Sequence, residues 1–132
     1  MFMLARALLV TSLFALPTLA AEDKEKPIAP VEARKLKGKE ITVEMEVKAA
    51  KNALEKRGEI YLDSEENFRD EKNFAVVITR KGAESLRVAG IDDPADHFKS
   101  KTIRAKGTVT EVDGIPRIEV NDAKQITIPE KK

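Results

Sequence analysis

Few residues in this chain have types suited to chemistry. Tyr61 is the only tyrosine, and it stands between Glu59 and Asp63. In an extended segment, residues 59, 61 and 63 share one face. A tyrosine so placed offers a flat ring on which a nucleobase stacks. Its competing reading is an ordinary residue of an amphipathic sheet. Lys51 and Arg57 lie just upstream, and Arg104 and Arg117 lie downstream. Were the ligand a single-stranded nucleic acid, these four cations would be the candidates for phosphate contacts. His97 is the only histidine and closes the run Asp92-Asp-Pro-Ala-Asp-His97. That spacing lacks the alternating ligands and central glycine of a calcium loop, and it offers one nitrogen donor. No metal site is assigned there. Asp63, Glu65, Glu66 and Asp70 could feed a nuclease-type metal site, but no motif arranges them. No nucleophile has a base near it in sequence. The expectation is therefore no catalysis and no cofactor.

The chain has 132 residues, enough for one small domain. It has no cysteine, so disulfide scaffolds, cysteine zinc sites and thiol catalysis are excluded. Aromatics are 5% and charged residues 36%, so the core must be aliphatic. The balance of 24 Lys+Arg against 23 Asp+Glu lacks the basic excess of a non-specific polyanion binder.

The N-terminus reads as a targeting segment. Arg6 precedes an apolar run, Ala7 to Leu16, followed by Pro17 and small residues at Thr18 and Ala20. This is the order of a secretory signal peptide, and cleavage after Ala20 fits it best. The competing reading is a membrane anchor, but the run falls short of the ~20 apolar residues that span a bilayer. Cleavage would remove one base and no acid, leaving 23 of each in a neutral mature chain. Residues 21–35 begin with mixed charge and contain two prolines, so they read as a tether. A folded domain is expected over 36–128, with a tail at 129–132.

The elements that must position the candidate residues follow from periodicity. Val31 to Leu36 suits one helical turn. Ile41, Val43, Met45 and Val47 alternate with polar residues, the mark of a half-buried strand. Lys51 to Gly58 reads as a loop. Glu59 to Asp63 and Phe74 to Thr79 are further strands. Lys81 to Ala89 is helical, with Gly90 as its C-cap. Asp93-Pro94 opens a short turn of helix. Thr102 to Val109 is a strand in which Gly107 implies close packing or a bend. Asp113-Gly114 marks a hairpin, with a return strand at Arg117 to Val120. A last short run is Gln125 to Ile128. Three strands, a helix and two strands form the order of an OB barrel. The fold expected is all-β with one short helix: a five-stranded OB Greek-key barrel, its helix between the third and fourth strands.

The segments Gly38-Lys-Glu-Ile-Thr-Val43, Gly58-Glu-Ile-Tyr-Leu62, Asn73-Phe-Ala-Val-Val-Ile78, Lys101 to Val109 and Pro116-Arg-Ile-Glu-Val120 resemble bacterial exported OB-fold domains. These are similar to the tRNA-anticodon and helicase type of nucleic-acid-binding OB domain. The resemblance spans about Leu36 to Ile128. It implies a ligand face on the second and third strands, framed by two loops. Tyr61, Ala75, Val77 and Thr79 would lie on that face, and Phe68 would cover either it or the barrel. Lys51, Asn52, Lys56 and Arg57 would frame one side, and Asp113 to Arg117 the other. It also implies single-stranded nucleic acid as ligand. The rival partner is a protein, with an oligosaccharide as a third option. The chain is expected to be an exported monomer, periplasmic or secreted, with no transmembrane segment once mature.

Overall fold

The computed structural model describes residues 26–129. The segment read as a signal peptide and the start of the tether lie outside the described residues, as do positions 130–132.

The strands are β1 (Pro27–Ile28), β2 (Glu40–Glu46), β3 (Ala49–Ala53), β4 (Glu59–Asp63), β5 (Ala75–Thr79), β6 (Thr102–Val112), β7 (Ile115–Val120) and β8 (Ile126–Thr127). The helices are α1 (Pro30–Ala33), α2 (Leu54–Arg57), α3 (Arg80–Val88) and α4 (Pro94–Phe98), with a 3-10 turn at Ala123–Gln125. The sheet is mixed, in the order β1-β2-β6-β7-β5-β4-β3, and β8 adds to β6. β1 runs parallel to β2 and β5 parallel to β7; the other pairs are antiparallel. This mostly-β mixed sheet with short helices is OB-like.

The strand and helix divisions are finer than the sequence reading. Among the described residues the sheet has eight strands, and its hydrogen-bonded path runs open from β1 to β3. Val47 and Lys48 interrupt the first strand: Val47 N–H turns to Lys101 O and Lys48 N–H to Asp63 O. Among the described residues there are four short helices: the expected one, the two helical turns read near Val31 and Pro94, and a fourth that the sequence reading did not have. The segment read as a loop after Lys51 splits into β3 and α2. Gly58, at φ 73°, ends α2 in the left-handed conformation that glycine adopts without strain.

Packing begins upstream of Leu36. Within the expected tether, β1 pairs with β2 and Ala33 is fully buried. Ile28 packs on the core, so burial outweighs the polar composition of this stretch.

Period-two burial holds along the strands. Val43, Met45, Val76, Ile78, Ile103, Val109, Ile118 and Val120 are all buried, as their phase predicts. Phe74, Phe98 and Leu86 complete the core. Gly107 sits against β7, where an added Cβ would come within 2.7 Å of Ile118 Cγ2. The Asp113-Gly114 turn joins β6 to β7 with φ of 54° and 79°, as a tight hairpin requires. Asp93 caps α4 by accepting Asp96 N–H at 3.2 Å. Val43→Ala or Ile118→Ala should cost about 2–3 kcal/mol by chemical denaturation, the price of a partly collapsed cavity.

Candidate ligand-binding face

Register places the candidate residues. Lys51 pairs with Tyr61, Tyr61 with Val77, and Val77 with Glu119. One row along, Ala49, Asp63, Ala75 and Arg117 are neighbours in turn. Side chains at matched positions share a face. Both rows therefore lie on the outer face of β3, β4, β5 and β7. The apolar residues of that face, Ala75 and Val77, are buried between longer neighbours.

A concave pocket of ≈ 200 Å³ opens on this face. Tyr61, Lys51, Arg57 and Arg117 line it, so four of the five candidates meet at one site. Asp63, Ala75 and Phe68 complete one wall, and Val112, Asp113 and Ile115 of the β6–β7 hairpin form the other. Arg104 is not there. It pairs with Glu44 at 2.7 Å, on the half of β6 that joins β2. β6 is eleven residues long, and it passes from one half of the sheet to the other. Only its far end reaches the pocket.

Arg117 lines the pocket but is committed elsewhere. Its Nη1 donates to Glu59 Oε2 at 3.1 Å and to Glu119 Oε2 at 3.4 Å. Its side chain is only 11% exposed. These bonds tie β4 to β7 across the face, whereas Lys51 and Arg57 stand exposed at the pocket. Neither of these makes an ion pair among the described residues. The same network neutralises Glu59, whose Oε1 accepts the Tyr61 hydroxyl at 2.7 Å. The repulsion that Glu59 would exert on a phosphate is thereby offset.

Burial pushes the Tyr61 phenol above its ordinary pKa of 10.0, and Glu59 pushes it further; Arg57 beside it opposes. Absorbance titration reports this directly, because the chain has one tyrosine and no tryptophan. The midpoint should lie above 10.0 and fall in Glu59→Gln. The linked stability is fully present below the unfolded phenol value and is lost as pH rises through the folded one.

Phe68 is the residue sequence reasoning left undecided. It is 48% exposed, with the Arg69 guanidinium 5.2 Å from its ring centroid. Its loop is tied down by Asn73, which is wholly buried. Asn73 Nδ2 donates to Asp63 Oδ1 at 3.0 Å and to Phe68 O at 3.2 Å. Asn73 Oδ1 accepts Glu65 N–H at 3.0 Å. Ser64 Oγ accepts Phe74 N–H at 2.9 Å. The only early signal was an aromatic inside a long polar loop beside the face.

His97 is exposed and stands edge-on to Phe98, ring centroids 4.8 Å apart. Among the described residues no group of three or more metal-binding side chains gathers.

No family model matches the chain, and no curated protein matches it significantly. Solved structures do. Asparaginyl-tRNA synthetase from Pyrococcus horikoshii is similar over 80% of this chain and 23% of its own, with a TM-score of 0.51 and 14% identity. A protein assigned as an aspartyl-tRNA synthetase in Leishmania major Friedlin is similar over 79% of this chain and 20% of its own, at 0.51 and 13% identity. This chain spans about a fifth of each enzyme. At such identities the likeness concerns the fold. The class defined is an OB-like β domain with a pocketed outer face.

Proposed function

We propose that this protein is an exported, non-catalytic OB-fold module that binds single-stranded nucleic acid on the outer face of β3, β4, β5 and β7. In this reading β2 and β3 act as one bent strand, consecutive across Val47 and Lys48. The curled sheet is then the five-stranded barrel of the fold, with α3 between the third and fourth strands. One observation carries the function: Tyr61 and Phe68 share a pocket with the exposed cations Lys51 and Arg57. Stacking rings beside exposed cations are what a sequence-tolerant single-strand binder needs. The synthetases of similar fold act on tRNA, which is in keeping with this reading. Export rests on residues 1–20, and the natively produced protein should begin at or within a residue of Ala21. Among the described residues no helix is long and apolar enough to cross a membrane.

The test is a titration with short DNA and RNA oligomers at about 50 mM salt, where electrostatic binding is strong. Tyr61→Ala should lose ~1–3 kcal/mol of binding free energy. Arg57→Ala should reduce the salt slope by about one, since each phosphate contact releases about one counterion. The second reading is a protein-docking face, favoured by the exposed apolar rim at Phe68 and Val112. Absence of oligomer binding by the wild-type domain would select it.

A further inference from the structure

The pocket contains a group that simple stacking does not use. Asp63 is 8% exposed and lines the pocket from the same face as Tyr61. Among the described residues its carboxylate receives one hydrogen bond, from Asn73 Nδ2 to Oδ1. Among the described residues no donor reaches Oδ2, and since no buried polar side-chain atom there lacks a partner, this oxygen opens into the pocket, with Arg117 acting on the carboxylate only through its charge. A carboxylate oxygen facing the pocket from a mostly buried residue gains from an N–H that reaches it in place of water. The pocket holds ≈ 200 Å³, below the roughly 300–1,000 Å³ of sites for larger ligands. One ring system fits. Its rim carries Lys51 and Arg57, and Arg117 lies beneath. A cationic side chain from a protein would meet those charges, whereas a neutral ring trailing a phosphate would not.

We propose that the pocket takes one unpaired nucleobase bearing an exocyclic amino group, whose N–H donates to the Asp63 carboxylate while Tyr61 and Phe68 flank the ring. This rests on the nucleic-acid reading of the same face. Thymine and uracil are disfavoured, because they turn a carbonyl oxygen where cytosine turns its amino group. Carbonyl facing carboxylate leaves two acceptors with no proton between them. The pocket therefore selects among bases, while Lys51 and Arg57 hold the strand without selecting.

The experiment compares end-labelled oligo-dC and oligo-dT by fluorescence anisotropy. These bases are close in size and differ in the amino group and the 5-methyl. A third oligomer carries N4,N4-dimethylcytosine, the cytosine ring with its amino donors removed. The wild-type protein should bind oligo-dC roughly tenfold more tightly than either of the others, the discrimination expected of one good polar base contact. Asp63→Asn keeps the side chain's shape and offers a donor as well as an acceptor. It should bring oligo-dC and oligo-dT to within a few-fold of each other and leave the salt slope unchanged. Equal wild-type affinity for oligo-dC and the dimethylated oligomer overturns the proposal without touching the general function. That comparison needs no variant to fold. Preference for oligo-dC that survives in a folded Asp63→Asn also overturns it. No binding of any oligomer overturns both this proposal and the function it rests on.

Discussion

Gly82→Ala should destabilise the domain by about 3 kcal/mol or more. Gly82 is the third residue of α3, where its N–H donates to the Thr79 cap at 3.2 Å. A Cβ added there would come within 2.1 Å of Val120 O and 2.9 Å of Val120 C. Both are backbone atoms of β7, a strand paired to β5 and β6 and unable to yield alone. The substitution must push α3 off the sheet or bend β7. Helix propensity acts the other way, worth ~1 kcal/mol in favour of alanine. The clash wins, because strand displacement would also disturb the packing around the fully buried Ile78 and Val120. Thermal unfolding should shift down by roughly 12–24 °C, at about 4–8 °C per kcal/mol for a domain of this size. Lys81→Ala, an exposed neighbour in the same helix, should leave the midpoint nearly unchanged. A normal melting curve for Gly82→Ala would mean that α3 does not lie this close to β7.

Asn73→Ala should cost a similar amount, about 3 kcal/mol, and should also weaken ligand binding. Its amide makes three good hydrogen bonds, to Asp63, Phe68 and Glu65, with no exposure to water. Alanine leaves those partners unsatisfied, and each buried orphan costs ≈ 1–3 kcal/mol where water cannot enter. Partial flooding of the gap keeps the total near the lower end of that sum. Freed of its anchor, the loop over 64–73 should lose hydrogen-exchange protection, and Phe68 should leave the pocket. Asn73→Asp is the sharper variant. Its carboxylate cannot donate to Asp63, so two acidic groups would face each other. Burial already holds the Asp63 carboxyl above its ordinary value of 3.8. The damage in Asn73→Asp should therefore ease as pH falls and one of the pair takes up a proton. If that variant is equally unstable at every pH, or if exchange in 64–73 is unaltered in Asn73→Ala, Asn73 is not the anchor.

Much of the fold was legible because strand burial follows a two-residue period. Ile41 to Val47 and Ile103 to Val109 declare their inner faces in that way, and Asp113-Gly114 declares its turn. The same period put Glu59, Tyr61 and Asp63 on one face and marked Lys51 and Arg57 as its neighbours. Local sequence determined these features because each depends on residues within one element or one turn.

Only the tertiary structure decided which cations share the pocket. Arg104 and Arg117 look alike in sequence, yet one faces Glu44 across the other half of a long strand. The other lies nearly buried between Glu59 and Glu119. Their roles are set by partners 60 and 58 residues away, and no local pattern encodes such pairings. Ala33 likewise entered the core from a stretch whose composition resembles a tether, through the pairing of β1 with β2. Asp63 shows the same division: its alternation announced an outward carboxylate, and the loop anchored by Asn73 turned that exposed position into a buried one. Burial at such a position depends on what folds over it, and that is a property of the assembled chain.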